Sequence, residues 1–145
     1  GEKVVVIGGE LVAAEVGEIL QKKGKSVTLC DIPEGGGQLA ASMEITAKMG
    51  YNKKMAERGA TLSLIPNIQF KEITDEGVAI LHPDGREQFI EADTVVIAAG
   101  YLPNDGLSKT LAGKTWDPPY LIGDCVQAGR IFGAMHDGAR VGRPI

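Results

Sequence analysis

The run Lys3-Val4-Val5-Val6-Ile7 ends abruptly at Gly8-Gly9, and almost at once the apolar spacing becomes that of a helix. This junction constrains the fold more than any other feature of the chain. A short continuous apolar run is the pattern of a parallel strand buried on both faces, because helices cover it above and below. From Leu11 to Lys23 the positions Leu11, Ala14, Ile19 and Leu20, joined by Val12 and Val16, fit a helix. Gly24 suits its C-terminal end. Ser26-Val27-Thr28-Leu29-Cys30 then reads as a second strand ending at Asp31. Strand, glycine turn, helix and strand within about 30 residues make a βαβ unit.

The remaining chain extends this unit. Ile32 to Gln38 is a Pro- and Gly-rich loop, including Gly35-Gly36-Gly37. Ala41 to Arg58 reads as a second helix, with Gly59 as its stop and Gly50 as a weak point. Thr61 to Ile65 is a third strand. Gln69 to Thr74, Val78 to His82 and Glu87 to Ile90 are short strands with turn signals between them. Asp84-Gly85 suits a hairpin turn, since both residues tolerate positive φ. An antiparallel β-meander in place of a crossover helix fits this stretch. Thr94 to Ala98 returns as a buried parallel strand stopped by Gly100. Tyr120-Leu121-Ile122 is a further short strand stopped by Gly123-Asp124, and Ile131 to Val141 is a closing helix. The expected class is α/β: a Rossmann-like parallel sheet with helices on both faces and a three-stranded antiparallel meander. No linker long enough to separate two domains interrupts residues 1–145, so a single domain is expected.

Composition narrows the partners. The 145 residues suffice for one core, and 43% hydrophobic with 23% charged residues is ordinary for a globular protein. A net charge of -4 offers no general attraction to nucleic acid or anionic membrane, so neither is expected as a partner. No apolar run approaches the ~20 residues of a membrane span, and no signal-peptide layout opens the chain. Cys30 and Cys125 lie far apart with no CxxC pair, which predicts reduced thiols and a cytoplasmic location. His82 and His136 lie apart from any nucleophile or metal set, so surface roles are expected and no metal site. Lys22-Lys23-Lys25 suits a helix C-terminus.

The chemistry concentrates in the first βα turn, Gly8-Gly9-Glu10-Leu11-Val12-Ala13-Ala14-Glu15. A dinucleotide fold uses G-x-G-x-x-G/A at this place. The first Gly makes the turn, the second admits the pyrophosphate, and the third small residue packs helix on strand. Gly8 and Ala13 fill the first and third places, and Glu10 occupies the second. Helix-terminal amides still point at an anion there. A plain strand-to-helix turn uses the same glycines, so the turn alone leaves both readings open. Asp31 favours the nucleotide, since an acid roughly 20 residues on accepts hydrogen bonds from an adenosine ribose. It also repels a 2′-phosphate, and Ile32-Pro33-Glu34 offers no cation to receive one. NAD(H) is therefore expected over NADP(H).

Three segments carry a family resemblance. Gly1-Glu-Lys-Val-Val-Val-Ile-Gly-Gly9, Glu91-Ala-Asp-Thr-Val-Val-Ile-Ala-Ala-Gly100 and Tyr120-Leu-Ile-Gly-Asp-Cys125 occur in order. Together the chain resembles the C-terminal part of 2,4-dienoyl-CoA reductase and enoate reductase-like NADH:flavin oxidoreductases, relatives of glutathione reductase. The absence of a redox CxxC sets it apart from the thioredoxin reductase branch. The resemblance implies a longer parent. In it an N-terminal FMN barrel, usually with an iron–sulfur cluster, precedes an FAD domain into which an NAD(P)H-binding domain is inserted. It matches Gly8, Gly9, Glu10, Leu11, Val12 and Ala13 to the pyrophosphate loop, and Asp31 to the ribose acid. Glu15 matches an acid near the nicotinamide half, for which simple helix solvation is an equal alternative. Gly100-Tyr101 matches a loop closing over the dinucleotide. Gly123-Asp124 matches a second FAD signature, within a segment of about 118–145 that belongs to the FAD domain in the parent.

The implied function is NADH binding, with hydride passing to FAD and onward through the cluster to FMN in the full-length parent. A chain of this extent is then expected to be an inactive fragment with no catalytic residue of its own, its cofactors carrying the chemistry. Glu10 keeps a rival alive. A carboxylate ~4 Å from a phosphate charge costs about 4 kcal/mol at an effective dielectric of 20. The chain could on that account be a degenerate scaffold that binds ADP or no cofactor. A free-standing Rossmann enzyme fits worst, for want of a substrate domain or acid–base pair.

Overall fold

A computed structural model describes residues 1–32, 40, 49, 53, 62–114 and 117–144. The first elements follow the sequence pattern closely: β1 (Lys3–Ile7), α1 (Leu11–Lys22) and β2 (Ser26–Cys30). Gly24 follows the end of α1 with φ +80, and its N–H donates to the Gln21 carbonyl at 2.9 Å, closing the helix as expected. The expected helix from Ala41 to Arg58 and the loop before it lie almost wholly outside the described residues; Met49 and Lys53 within that span are helical.

Next come β3 (Leu62–Ile65), β4 (Gln69–Thr74), β5 (Gly77–Leu81), β6 (Glu87–Glu91) and β7 (Thr94–Ile97). Four strands form a parallel sheet in the order β3-β2-β1-β7, and β4-β5-β6 form an antiparallel sheet. This is the expected Rossmann-like α/β fold with its meander. The register pairs Val4 with Val27 and Thr94, and Ile7 with Cys30 and Ile97.

Strand alternation sorts the core into two layers. Val4, Val6, Val27 and Leu29 pack with Ala13 of α1. Val5, Ile7 and Cys30 project to the opposite face and pack with Ile68, Val78, Ile80 and Ala92. Among the described residues the meander therefore forms the layer over that second face, standing where a crossover helix would. A strand covered on both sides has no polar face, which is why β1 reads as an unbroken apolar run. In the turn joining β5 to β6, Gly85 alone takes positive φ (+83), and Asp84 instead accepts the Arg86 N–H at 3.0 Å.

By compactness the chain falls into two units, Gly1–Ala99 and Gly100–Ile145. The second contains α2 (Gly106–Leu111), a short 3-10 turn (Gly123–Cys125) and α3 (Ile131–Gly142). Sequence periodicity missed α2, whose Asp105 at the N-cap pairs with Lys109 at 2.9 Å. The strand expected over Tyr120-Leu121-Ile122 is not formed. Ile122 has extended backbone (φ -145, ψ 157), but a strand also needs a neighbour to receive its hydrogen bonds. None of the described residues of this unit is buried. No described helix is long and apolar enough to cross a membrane.

Candidate functional site

In open α/β sheets ligands bind beyond the carboxyl ends of the strands, where the strand order reverses. Here that point lies at β1, flanked by β2 on one side and β7 on the other. The turn after β1 is Gly8-Gly9-Glu10, and its three residues have three distinct local roles.

Gly8 has φ +131, and a Cβ on it would lie 2.3 Å from the Ala98 carbonyl oxygen. Its N–H donates to the Cys30 carbonyl at 2.8 Å, while the Ala98 N–H donates to the Ile7 carbonyl at 2.8 Å. The turn is thus threaded between β2 and the end of β7. Gly9 has ordinary φ, but a Cβ there would lie 2.3 Å from Asp31 Oδ2. Its carbonyl accepts the Ala40 N–H at 2.6 Å. Glu10 is the N-cap of α1, with φ -82 and ψ -175, and its carbonyl accepts the Ala14 N–H at 3.0 Å. Its side chain makes no capping hydrogen bond to the helix.

Ala13 is fully buried against β1 and β2, as the third fingerprint place requires. Leu11 is half-buried, Val12 is 42% exposed, and Glu15 is exposed one turn further along. The first-turn amides of a helix have no intrahelical acceptors, and α1 directs its own toward this turn. Asp31 is brought to the same place but lies inward, only 4% exposed. Its Oδ1 accepts the Ile32 N–H at 3.0 Å, and its backbone bonds Ile65 and Ile68. The acid is thus a buried neighbour of the glycine turn, not a group standing open at the strand end. Neighbouring Cys30 is fully buried, and burial pushes its thiol pKa up to about 12. That thiol is held neutral and unreactive.

Gly100, Tyr101, Gly123 and Asp124 belong to the second unit. Gly100 takes φ +93 with open space around it, and Tyr101 is 76% exposed. Gly123 (φ +65) donates its N–H to Asp137 Oδ2 at 3.1 Å, and Asp124 Oδ1 accepts the Gly129 N–H at 3.2 Å. An open groove of about 510 Å³ borders these residues and Arg130. Asp137 went unnoticed in the sequence. An acid on the half-buried side of a helix was the available signal, but only the fold shows that it holds the glycine loop. Cys125 Sγ donates to the Ile122 carbonyl at 3.0 Å. No group of metal-ligating side chains gathers among the described residues.

Known proteins share this architecture. The family described as pyridine nucleotide-disulphide oxidoreductase matches residues 1–118. An NADH oxidase of Thermoanaerobacter brockii is 34% identical over 97% of the chain and 21% of its own length. A cinnamate reductase of Clostridium sporogenes is 32% identical over 100% of the chain and 21% of its own length. The solved structure of 2-naphthoyl-CoA reductase superposes over 100% of the chain and 21% of its own, with a TM-score of 0.81 and 33% identity. The chain spans about a fifth of the length of these relatives. The resemblance carried by the three sequence motifs therefore stands, and the chain belongs to the pyridine nucleotide-disulphide oxidoreductase family, as a nucleotide-binding Rossmann-like domain related to flavin-dependent NAD(P)H oxidoreductases.

Proposed function

We propose that this chain is the NAD(H)-binding module of a flavin-dependent oxidoreductase, in which NADH delivers hydride to FAD within the full-length protein. The observation that carries this reading is the turn at the strand-order reversal. Gly8 takes a backbone conformation closed to other residues, and α1 opens directly beyond it. Gly8 to Ala13 would hold the pyrophosphate, with Gly9 keeping the backbone low beside Asp31. Asp31 would bind the adenosine ribose, which requires its carboxylate to swing outward past Gly9. Glu15 lies toward the nicotinamide half, and Gly100-Tyr101 forms the loop over the dinucleotide. Gly123-Asp124, within a segment of about 118–145, belongs to the FAD domain. An exposed apolar set on α3 (Ile131, Phe132 and Met135) supports that assignment, because such side chains call for a covering layer.

The nicotinamide supplies the hydride when bound; this chain's residues bind and orient it and perform no covalent step. FMN and an iron–sulfur cluster belong to the parent's other domains, and the module's two free thiols suit the cytoplasm. Titration with NADH, followed by nicotinamide fluorescence, tests the reading, and NADPH run in parallel tests Asp31. NADH should bind more tightly, and Asp31→Ser should narrow the difference. Equal affinity of the unmodified chain for both would remove Asp31 from the ribose site. Glu10 favours a second reading, a scaffold that binds ADP or nothing; failure to bind NADH and NADPH, with or without binding of ADP, would support it.

A further inference from the structure

We infer that Glu10 is an electrostatic brake on dinucleotide affinity, placed where the fold tolerates it and the ligand does not. The inference rests on the proposed nucleotide site and deepens it. The turn separates the demands of folding from those of binding, one residue at a time. Gly8 is required by its backbone conformation and by the Ala98 carbonyl. Gly9 is required by the close approach of Asp31. Glu10 meets neither demand: φ -82 and ψ -175 are open to any L residue, and its carbonyl begins the α1 hydrogen-bond ladder whatever its side chain.

A glycine at this place therefore has one remaining purpose, to let an anion reach the amides at the head of α1. Glutamate opposes that anion twice. Its side chain adds bulk at the mouth of the turn, and its carboxylate adds a like charge beside the pyrophosphate. A second carboxylate, Asp31, already lies against Gly9, so the turn is acidic on two sides. The consequence is a cofactor site with intact architecture and reduced affinity, whose restraint is strongest at low ionic strength.

The test compares the full 145-residue chain with Glu10→Gln, which keeps the bulk and removes the charge, and Glu10→Gly, which removes both. NADH affinity is measured calorimetrically at several salt concentrations, with circular dichroism and melting temperature confirming that each protein is folded. E10Q should tighten NADH binding by about fivefold or more and E10G by about tenfold or more at low salt. The advantage of E10Q should shrink toward unity near 1 M salt, where the screening length falls to about 3 Å. Equal NADH affinity in all three proteins would overturn the brake while leaving the nucleotide site intact. A gain in E10G alone would assign the effect to bulk and overturn the electrostatic inference. Failure of all three folded proteins to bind NADH would overturn the proposed site itself, and the brake with it.

Discussion

Gly8 and Gly9 are neighbours in the turn, yet a methyl group at each would meet a different obstacle. At Gly8 it would meet the Ala98 backbone carbonyl at 2.3 Å, from a φ of +131 that L residues rarely adopt. Neither the strand nor the dihedral can yield, so Gly8→Ala should lose at least about 1–3 kcal/mol in urea unfolding. At Gly9 the nearest atoms belong to the Asp31 side chain: rotation can move Oδ2 and Cγ away, but Asp31 Cβ at 2.8 Å moves only with the backbone, and φ at Gly9 is an ordinary one. Gly9→Ala should therefore lose less; an equal loss would mean that Asp31 is locked in place. A second residue-scale effect concerns acid stability. Asp93 accepts the Lys3 N–H at 3.1 Å and the Glu2 N–H at 2.7 Å, which hold its carboxyl below the ordinary value of 3.8. A depressed folded pKa contributes stability that is complete above the ordinary carboxylate range and is lost as pH falls through the folded value. Glu91, ion-paired with Lys3, shifts in the same direction. Asp93→Asn should flatten the fall of melting temperature below about pH 4 without removing it, since Glu91 remains. An unchanged acid limb would show that the clamp at the start of β1 contributes nothing to folding.

Among the elements, β2 is enclosed like β1, with β1 on one edge, β3 on the other and a layer over each face. Leu29 is fully buried beneath α1. Leu29→Ala should cost about 2–5 kcal/mol in chemical denaturation, the range for a buried leucine whose surroundings collapse only in part. A loss well under that range would show α1 settling into the gap. The same enclosure explains which elements could be read from sequence. Strand β1 is an apolar run between turn residues because both its faces are covered, whereas β7, expected to be buried, is only partly covered, with Ile97 71% exposed. Helix α1 shows its apolar spacing and its Gly24 stop. Helix α2 is too short to display a period, and an Asp105–Lys109 pair is a weak signal. Tyr120-Leu121-Ile122 carries a strand's composition without a strand's neighbour, so local pattern overstated it.

For the whole molecule, the two units differ in how far each is self-sufficient. Gly1–Ala99 has two buried layers around its parallel sheet, whereas none of the described residues of Gly100–Ile145 is buried. Gly123 and Asp124 are held in shape by Asp137 and the Gly129 amide. If, as proposed, they form only one edge of a flavin site, the purified chain should be colourless; a stoichiometric flavin absorption spectrum would contradict this. The sequence by itself determined the βαβ unit, the meander and the place of the glycine turn, because hydrophobic period and glycine placement are local properties of the chain. It also displayed Glu10 as a departure from the dinucleotide pattern. Only the tertiary structure decided what each turn residue is for. The barrier at Gly8 comes from Ala98, just past the end of β7 and some ninety residues away in the chain. The packing at Gly9 comes from the end of β2, and the bond that holds Gly123 comes from α3. The burial of Asp31 likewise depends on backbone bonds to Ile65 and Ile68. Such contacts join residues far apart in sequence, and no local pattern records them.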